Sequence, residues 1–273
     1  MGVMTLMNDK FTAIVLAGDR GPDDPVVKAA GVSCKALLPI LGRPMVLRVV
    51  EALEGSSAVG SLILCGSSSR LRGGSTELDA MIAAERLCWI ENQPSPSLSA
   101  QAALRVLSDD RRVLITTADH AMLTSGMVDY FCSRASATGC DVVAGLARAD
   151  MVSAAFPESR RTVTRLRGGG YCGCNLFAFL TPASRKAASF WRRMEEQRKN
   201  PLKIAGTLGY LTLLRYLMGR LTLEYGLARM SKLMGLKAGA VWMPDAEAAV
   251  DVDSIEDLRL VERYLGGIER QFL

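Results

Sequence analysis

Apolar runs and helical repeats alternate along the first half of the chain. Residues 12–17 are almost wholly apolar and end at Gly18, as a strand buried on both faces of a parallel sheet does. From Met45 to Leu53 apolar residues recur at helical spacing, and Pro44 fits the first turn of that helix. The same patterns predict further strands at 62–65, 87–90, 113–117 and 141–147, and helices at 76–85, 98–107 and 124–135.

Two of these helices have predicted caps. Thr124 is placed to cap the helix that runs to Ala135, and Ser97 or Ser99 lies near the N-cap of the helix at 98–107. The segment 18–33, which is rich in Gly, Pro and Asp, reads as one long loop.

Strands that alternate with helices at this spacing predict an α/β fold, with a mostly parallel sheet and helices on both faces. Ligands bind such sheets outside the carboxyl ends of the strands. Gly18 and Asp119 both follow a predicted strand directly. Two independent signals therefore indicate one edge of the sheet.

The second half of the chain is less regular. Strands are predicted at 162–166 and 175–180 around a turn at 168–170, and again at 241–243 and 248–252. Helices are predicted at 182–198, 207–219 and 222–235, and a last one starts at Ser254. Without a repeat or a low-complexity linker, we expect one domain over residues 1–273, with 181–240 as a helical elaboration.

Composition excludes several classes of protein. The 273 residues are 49% hydrophobic and 22% charged, which argues against disorder and fibrous folds. The net charge of +5 is spread along the chain. It suits a protein that handles phosphates and is too diffuse to indicate nucleic acid.

Cysteine and histidine usage narrows the chemistry. Seven cysteines without paired spacing indicate reduced thiols, not disulfides or a zinc site. His120 is the single histidine, so mechanisms that need several histidines are excluded. Neither a signal peptide nor an apolar run of the ~20 residues that span a bilayer is evident. We expect a cytoplasmic protein.

The loop after the first strand is a candidate phosphate site. Backbone N–H groups of a glycine-containing turn can cradle phosphates, and Arg20 can add a charged contact. A glycine at this place is common in α/β folds, however. The P-loop pattern G-x-x-x-x-G-K-[ST] and the dinucleotide pattern G-x-G-x-x-G are both missing.

A three-part signature extends this loop. It reads Leu16-Ala17-Gly18-Asp19-Arg20, then Lys35-Ala36-Leu37, then Gly42-Arg43-Pro44-Met45. The signature resembles that of the MobA-like and sugar-phosphate nucleotidyltransferases. The resemblance implies a Rossmann-like fold of the nucleotide-diphospho-sugar transferase type (GT-A-like). It further implies that Lys35 and Arg20 are catalytic and that Leu16, Ala17, Gly18 and Asp19 bind the nucleotide.

Three aspartates resemble the metal ligands of that family. Asp119 ends the segment 114–119 and matches the ligand at the end of a strand, where Thr117 would also contact the nucleotide. Asp253 matches the later ligand, and Asp251 lies two residues before it on the same strand face. Carboxylates suit Mg²⁺ or Mn²⁺. The alternative for Asp119 and Asp253 is helix capping, for which Thr124 and Ser254 compete.

Other matches are less specific. Ser97 and Ser99 lie where the molybdopterin-type branch contacts the nucleobase, although a helix cap explains either serine. Asn175 resembles the acceptor-binding position, since a side-chain amide can hold a hydroxyl or a phosphate. His120 adjoins Asp119 and either lines the pocket or belongs to a plain loop. The interval from Gly18 to Lys35 is long for the molybdopterin branch, and Asp19, Asp23 and Asp24 make it acidic.

The resemblance implies a metal-dependent nucleotidyltransferase with a nucleoside triphosphate, CTP before GTP, and a phosphorylated small molecule as substrates. A glycosyltransferase that uses Asp251-x-Asp253, or an inactive nucleotide-binding module, remains open. Residues 202–234 combine Leu, Met and Tyr with Arg and Lys. They predict helices that cover the core or form a homodimer face, and the glycines within them favour this over membrane contact.

Overall fold

The computed structural model describes residues 10–18, 21, 23–197, 206–207 and 209–271. The strands within these ranges are β1 (Phe11–Ala17), β2 (Pro39–Ile40), β3 (Arg43–Pro44), β4 (Val59–Gly66), β5 (Cys88–Glu91), β6 (Val113–Thr117), β7 (Val142–Arg148), β8 (Thr164–Leu166), β9 (Gly169–Phe179) and β10 (Ala238–Trp242). The helices are α1 (Pro25–Ala30), α2 (Met45–Glu54), α3 (Ser68–Leu71), α4 (Thr76–Ala83), α5 (Pro96–Arg105), α6 (Ser125–Ala137), α7 (Ala149–Ala155), α8 (Arg185–Gln197), α9 (Tyr210–Leu217), α10 (Leu223–Met234) and α11 (Ile255–Gln271). Short 3-10 turns cover Lys35–Leu37, Pro182–Ser184 and Ala246–Ala249.

A mixed sheet forms the centre of the protein, in the order β10-β7-β9-β6-β1-β4-β5, with β8 paired to β9. β1, β4, β5 and β6 are mutually parallel, and β10 is parallel to β7. β9 runs antiparallel to β6, β7 and β8. The predicted α/β fold with a mostly parallel sheet is confirmed.

Helices cover both faces of this sheet, and β1 shows how the sequence builds the layers. Ala13 and Val15 pack into the larger hydrophobic cluster, which also holds apolar side chains of α2 and α6. Ile14 and Leu16 pack into a second cluster with side chains of α5 and α8. Because successive side chains on a strand point to opposite faces, a fully apolar strand lies between two helical layers.

The segment 18–33 contains helix α1, so the prediction of an uninterrupted loop was wrong. Asp24 caps this helix by accepting a 2.9 Å hydrogen bond from the Val26 amide. Pro25 occupies the first turn, where its missing N–H costs nothing, and Gly31 ends the helix at a φ of 65°. Asp24, Pro25 and Gly31, which resembled loop residues, are therefore the cap, the first turn and the end of a short helix.

The region after β7 also differs from the prediction. Helix α7 was not predicted, and β9 begins at Gly169 and not at residue 175. Leu166 pairs with Gly169, so the reversal between β8 and β9 is centred on Arg167 and Gly168, with Gly168 at a φ of 105°. The glycines at 169 and 170 belong to the strand.

The predicted strand at 248–252 does not form. Ala246–Ala249 is a 3-10 turn, and the chain then runs extended without joining the sheet. The N-cap of α5 is Ser95, so Ser97 and Ser99 lie inside the helix. The predicted cap at Thr124 is confirmed, since its hydroxyl accepts from the Met127 amide at 3.2 Å.

Helices α8, α9 and α10 fall within residues 181–240, and β10 begins there as well and joins the sheet. A single domain with 181–240 as its elaboration stays a prediction. Among the helices in the described ranges, none is long and apolar enough to cross a membrane.

Candidate active site

A cleft of about 840 Å³ opens at the carboxyl ends of β1 and β6. The two strands are parallel neighbours, and Leu16 pairs with Thr117. Their ends therefore deliver Leu16, Gly18, Thr117 and Asp119 to one place, all of which line the cleft. This is the edge of the sheet that the sequence indicates, and it is where α/β proteins bind ligands.

Lys35 enters the cleft from the 3-10 turn Lys35–Leu37. Ala36 and Leu37 anchor the turn in the core, and Leu37 fits only because residue 74 is glycine: a Cβ there would lie 2.2 Å from Leu37 Cδ1. Lys35 Nζ lies 2.7 Å from Asp119 Oδ2 and 2.6 Å from Asp253 Oδ1. Burial works to lower the pKa of Lys35, but both ion pairs outweigh it and raise the pKa above its usual value. The ammonium is thus firmly protonated.

Asp253 reaches the cleft through two backbone restraints. The Val252 amide donates to the Asp119 carbonyl at 3.0 Å, which holds the segment 251–253 against the end of β6. Ser254 caps α11 by accepting from the Asp257 amide at 3.1 Å, while Asp257 accepts from the amides of Asp253 and Ser254. The helix start thus uses Ser254 and Asp257, and Asp253 is directed to Lys35.

Asp251 lies beside these two aspartates but has other partners. Arg161 donates to the Asp251 carbonyl at 2.7 Å and forms ion pairs with the carboxylates of Asp251 and Asp257. The Asn175 amide donates to Asp251 Oδ2 at 3.2 Å. Burial, reinforced by repulsion from Asp119 and Asp253, raises the pKa of Asp251. Asn175 is thus engaged with an aspartate, and its contact with an acceptor stays a prediction.

The three aspartates fit a divalent cation. One carboxylate oxygen from each lies within 4.8 Å of the others. Asp119 Oδ1 is buried and accepts no hydrogen bond within the described part of the chain. A buried carboxylate oxygen left without a donor is costly unless a cation meets it, and Mg²⁺ prefers such oxygens.

The described lining of the cleft carries an excess of negative charge. It holds five carboxylates against three cationic side chains. A divalent ion bound there would reduce that excess. The cations are Lys35, Arg70 and Arg192, and the carboxylates are Asp24, Asp119, Glu195, Glu196 and Asp253.

The other predicted nucleotide contacts divide into two groups. Leu16, Gly18, Ser99 and Thr117 line the cleft, whereas Ala17 and Ser97 are buried outside its lining. Ser97 donates to the Glu195 carboxylate, and Ser99 accepts from the Gln93 amide at 2.8 Å. Asp19 and Arg20 lie outside the described residues.

His120 does not belong to the cleft lining. Its side chain is buried, and burial lowers its pKa to about 4. A neutral, enclosed imidazole cannot exchange protons with a ligand at neutral pH. The structure thus places the His120 side chain in the core and not in the lining of the cleft.

Three cationic residues were not among the predicted site residues. Arg70 follows the end of β4 and lies next to Gly21, and Arg192 projects from α8, so both line the cleft. Arg192 lies on a helix that the sequence predicts, so it could have been predicted as a candidate site residue. Arg161 has no such signal, because it lies in an irregular segment and its partners are 90 and 96 residues away.

The mixed sheet, with a cleft and a lysine among aspartates at its carboxyl edge, agrees with the fold of the nucleotidyltransferases. The chain belongs to the family of the MobA-like NTP transferase domain, whose family model matches residues 13–232. No curated protein matches the sequence of this chain.

Solved structures agree with this assignment. A hypothetical transferase from Thermus thermophilus is 32% identical, with a TM-score of 0.75, and the alignment covers 91% of this chain and 99% of that one. The 4-diphosphocytidyl-2C-methyl-D-erythritol synthase from Anaerococcus prevotii is 12% identical, with a TM-score of 0.55 and coverage of 96% and 99%. A CMP:2-keto-3-deoxy-manno-octonic acid synthetase complexed with CTP is also 12% identical, with a TM-score of 0.54 and coverage of 94% and 98%. The last two share the fold.

Proposed function

We propose that the protein is a Mg²⁺-dependent nucleotidyltransferase. It transfers a nucleoside monophosphate from a nucleoside triphosphate to a phosphorylated small molecule and releases pyrophosphate. The observation that carries the proposal is the Lys35 ammonium, which bridges Asp119 and Asp253 at the cleft that follows β1 and β6. One cation and two carboxylates thus meet where a triphosphate and its metal would bind.

The reaction places few demands on the protein. An oxygen of the acceptor phosphate attacks the α-phosphorus, the bond from that phosphorus to the β-bridging oxygen breaks, and pyrophosphate leaves with the bonding electrons. The acceptor phosphate is already ionised, so a general base is not required, which agrees with the enclosed position of His120. Positioning and charge stabilisation carry the reaction.

Residues of the chain have distinct roles in this proposal. Asp119 and Asp253 would hold Mg²⁺ (or Mn²⁺), and Asp251 would support them from its contacts with Arg161 and Asn175. The metal would supply positive charge that neutralises the phosphates. The Lys35 ammonium would bind the phosphates, and Gly18 would let the triphosphate approach the backbone.

The identity of the substrates is a finer proposal. CTP is favoured over GTP by the resemblance to cytidylyl-transferring enzymes, one of which is a complex with CTP. The nucleoside would lie on the Leu16 and Ser99 side of the cleft. The acceptor is a small phosphate ester and not a nucleic acid, since the described lining of the cleft carries more carboxylates than cationic side chains.

Pyrophosphate release tests the proposal. Each of the four ribonucleoside triphosphates is supplied with Mg²⁺ and a panel of alditol, inositol, sugar and cofactor phosphates. The expected result is release that requires metal, one preferred base and one class of acceptor. Nucleotide-sugar hydrolysis without pyrophosphate release would instead indicate a glycosyltransferase. A thermal shift with triphosphate but no turnover on any acceptor would favour an inactive binding module.

The glycosyltransferase alternative has less support from the geometry. It needs Asp251 and Asp253 as a joint metal motif, but Asp251 is engaged by Arg161 and Asn175 and does not line the cleft. It also leaves Lys35 without a role, since a nucleotide-sugar donor has no γ-phosphate to bind.

A further inference from the structure

Helix α9 presents an apolar face to solvent. Tyr210, Leu211 and Leu217 are 75%, 70% and 72% exposed, and Leu214 and Met218 are about half exposed. At 100° per residue these five positions form one stripe, while Thr212, the buried residue of the helix, lies on the opposite side. Contiguous exposed apolar residues of this kind mark an interaction surface.

The packing of α9 and α10 gives this stripe little support. Thr212 is the buried member of α9, and α10 has no buried residue at all. An eight-residue helix is marginal in water unless its apolar face is covered. The apolar stripe of α9 therefore does not cover the core, and covering the core was one of the two interpretations that the sequence favoured.

Positive charge is concentrated around the stripe. Residues 209–237 contain five basic side chains (Arg215, Arg220, Arg229, Lys232, Lys237) and one acidic one (Glu224), a balance of +4 in a protein whose net charge is +5. Backbone hydrogen bonds bring the chain at Arg167, Arg215 and Arg220 together near the carboxyl end of α9, where the Arg215 guanidinium lies 4.1 Å from the centroid of the Tyr225 ring. The Arg167 amide donates to the Leu221 carbonyl at 2.7 Å, the Arg220 amide donates to the Arg215 carbonyl at 2.7 Å, and Arg167 and Arg220 are exposed.

We propose that this cationic apolar patch, formed by Tyr210, Leu211, Leu214, Leu217 and Met218 with Arg167, Arg215 and Arg220, docks the protein on an anionic phospholipid bilayer. Leucine and tyrosine side chains enter the boundary between headgroups and acyl chains, and the arginines pair with lipid phosphates. Docking of this kind is peripheral and needs no spanning helix.

Charge complementarity selects a bilayer over a second copy of the chain. A two-fold dimer brings the same patch of both subunits together, so two surfaces with the same excess of positive charge would approach each other. Such like-charge contact opposes association, whereas anionic headgroups neutralise it. The amphipathic stripe flanked by arginines is the arrangement that interfacial helices have.

The patch is connected to the cleft by α8. Thr207, three residues before α9, donates to Gln197, the last residue of α8, at 2.8 Å. Two and five residues earlier, the same helix carries Glu195 and Arg192 into the cleft. The segment just before the patch is therefore hydrogen-bonded to a helix that lines the cleft. The docking itself is independent of catalysis.

Vesicle co-sedimentation of the full chain, without nucleotide, tests the proposal. The vesicles contain phosphatidylcholine alone, or equal amounts of phosphatidylcholine and phosphatidylglycerol. The double variant Leu214→Gln/Leu217→Gln weakens the apolar contacts, and Arg167→Gln/Arg220→Gln weakens the charged ones; glutamine keeps helix propensity. The matched control Arg105→Gln/Val106→Gln removes an exposed cation and an exposed apolar side chain at the end of α5.

The expected result is sedimentation with the anionic vesicles alone, weakened by added salt. The arginine variant should bind roughly thirtyfold more weakly and the leucine variant at least roughly tenfold more weakly, while the control behaves as wild type. The salt response is measured on the wild-type protein and does not depend on whether a variant folds.

Two results overturn the proposal. One is a wild-type protein that stays in solution with anionic vesicles at low salt. The other is a dimer in light scattering that the leucine variant dissociates, since the patch is then covered by a second copy.

Discussion

The Lys35 ammonium and the Asp119 carboxylate, 84 positions apart in the chain, form an ion pair of 2.7 Å at the cleft. The same ammonium lies 2.6 Å from Asp253, 218 positions away. It thereby contacts two of the three clustered aspartates, the two that are proposed to hold the metal. Lysine and a divalent cation would therefore compete for the negative charge of the same carboxylates.

Lys35→Ala is expected to have opposite effects on metal binding and on turnover. Without nucleotide, the variant should bind Mn²⁺ roughly tenfold more tightly or better, because a competing positive charge within 3 Å of the ligands has been removed. Pyrophosphate release should fall by at least about a hundredfold, because the phosphates lose their lysine. Calorimetric titration with Mn²⁺ and a pyrophosphate assay measure the two effects.

The control for this prediction is Lys186→Ala, which removes one exposed lysine from α8. It should change neither quantity. If Lys35→Ala leaves Mn²⁺ affinity unchanged or weakens it, the competition between lysine and metal is refuted, whatever happens to turnover.

Asp119→Asn should abolish metal binding. Asp119 Oδ1 is the buried carboxylate oxygen without a described donor, and an amide in its place loses the charge that attracts the cation. Mn²⁺ binding in calorimetry should disappear, and pyrophosphate release should fall by at least about a hundredfold. Treatment of the wild-type protein with a chelator should reproduce the loss of turnover, and added Mg²⁺ should restore it.

Asp150→Asn serves as the matched control, since Asp150 is an exposed carboxylate paired with Arg148 away from the cleft. Unchanged metal binding in Asp119→Asn would mean that Asp253 and Asp251 suffice, and the metal assignment would have to be revised.

The placement of Lys35 and Asp119 could be predicted because each depends on local signals. Asp119 follows an apolar strand, and parallel strands end at one edge of the sheet, so its meeting with Gly18 follows from the fold class alone. Asp253 could be given a role other than helix capping, because Ser254, which follows it directly, can serve as the N-cap. Such inferences need the order of strands and helices and no knowledge of side-chain packing.

Arg161 and α1 show where this approach fails. Arg161 lies outside regular structure, and its partners are joined to it by tertiary packing that no periodicity encodes. In α1, Asp, Pro and Gly serve a six-residue helix, too short for an apolar repeat to reveal. The apolar residues at 248–252 are buried, as those of a strand would be. The Val252 amide, however, donates to the Asp119 carbonyl and not to a neighbouring strand.

Arg161→Gln should destabilise the fold. The Arg161 side chain is 8% exposed and neutralises Asp251 and Asp257, so its loss leaves two poorly solvated carboxylates without a counter-ion. Removing one partner of such a buried pair typically costs about 3 kcal/mol or more. Chemical denaturation should show a decrease of that order in the free energy of unfolding, and Arg161→Lys should restore part of it.

Arg263→Gln is the comparison, because Arg263 and Glu158 form an ion pair with both side chains more than half exposed. Its loss should cost less than about 1 kcal/mol. Equal effects of the two substitutions would show that Arg161 does not neutralise the aspartates as its contacts indicate.

Thiol reactivity should separate the cysteines by burial. Burial raises the pKa of Cys65 to about 11 and the pKa of Cys132 and Cys174 to about 12, whereas Cys88 is exposed. At pH 8, a thiol with a pKa near 11 is ionised in about one molecule in a thousand, and only the thiolate reacts. Iodoacetamide should therefore label Cys88 first, as peptide mass spectrometry can show. Cys88→Ser should remove the fast phase of labelling and leave the slow phase unchanged.

Labelling of Cys174 as fast as that of Cys88 in the folded protein would contradict the buried position of β9. As a control, all seven cysteines should react rapidly after unfolding, which checks that every thiol is reduced.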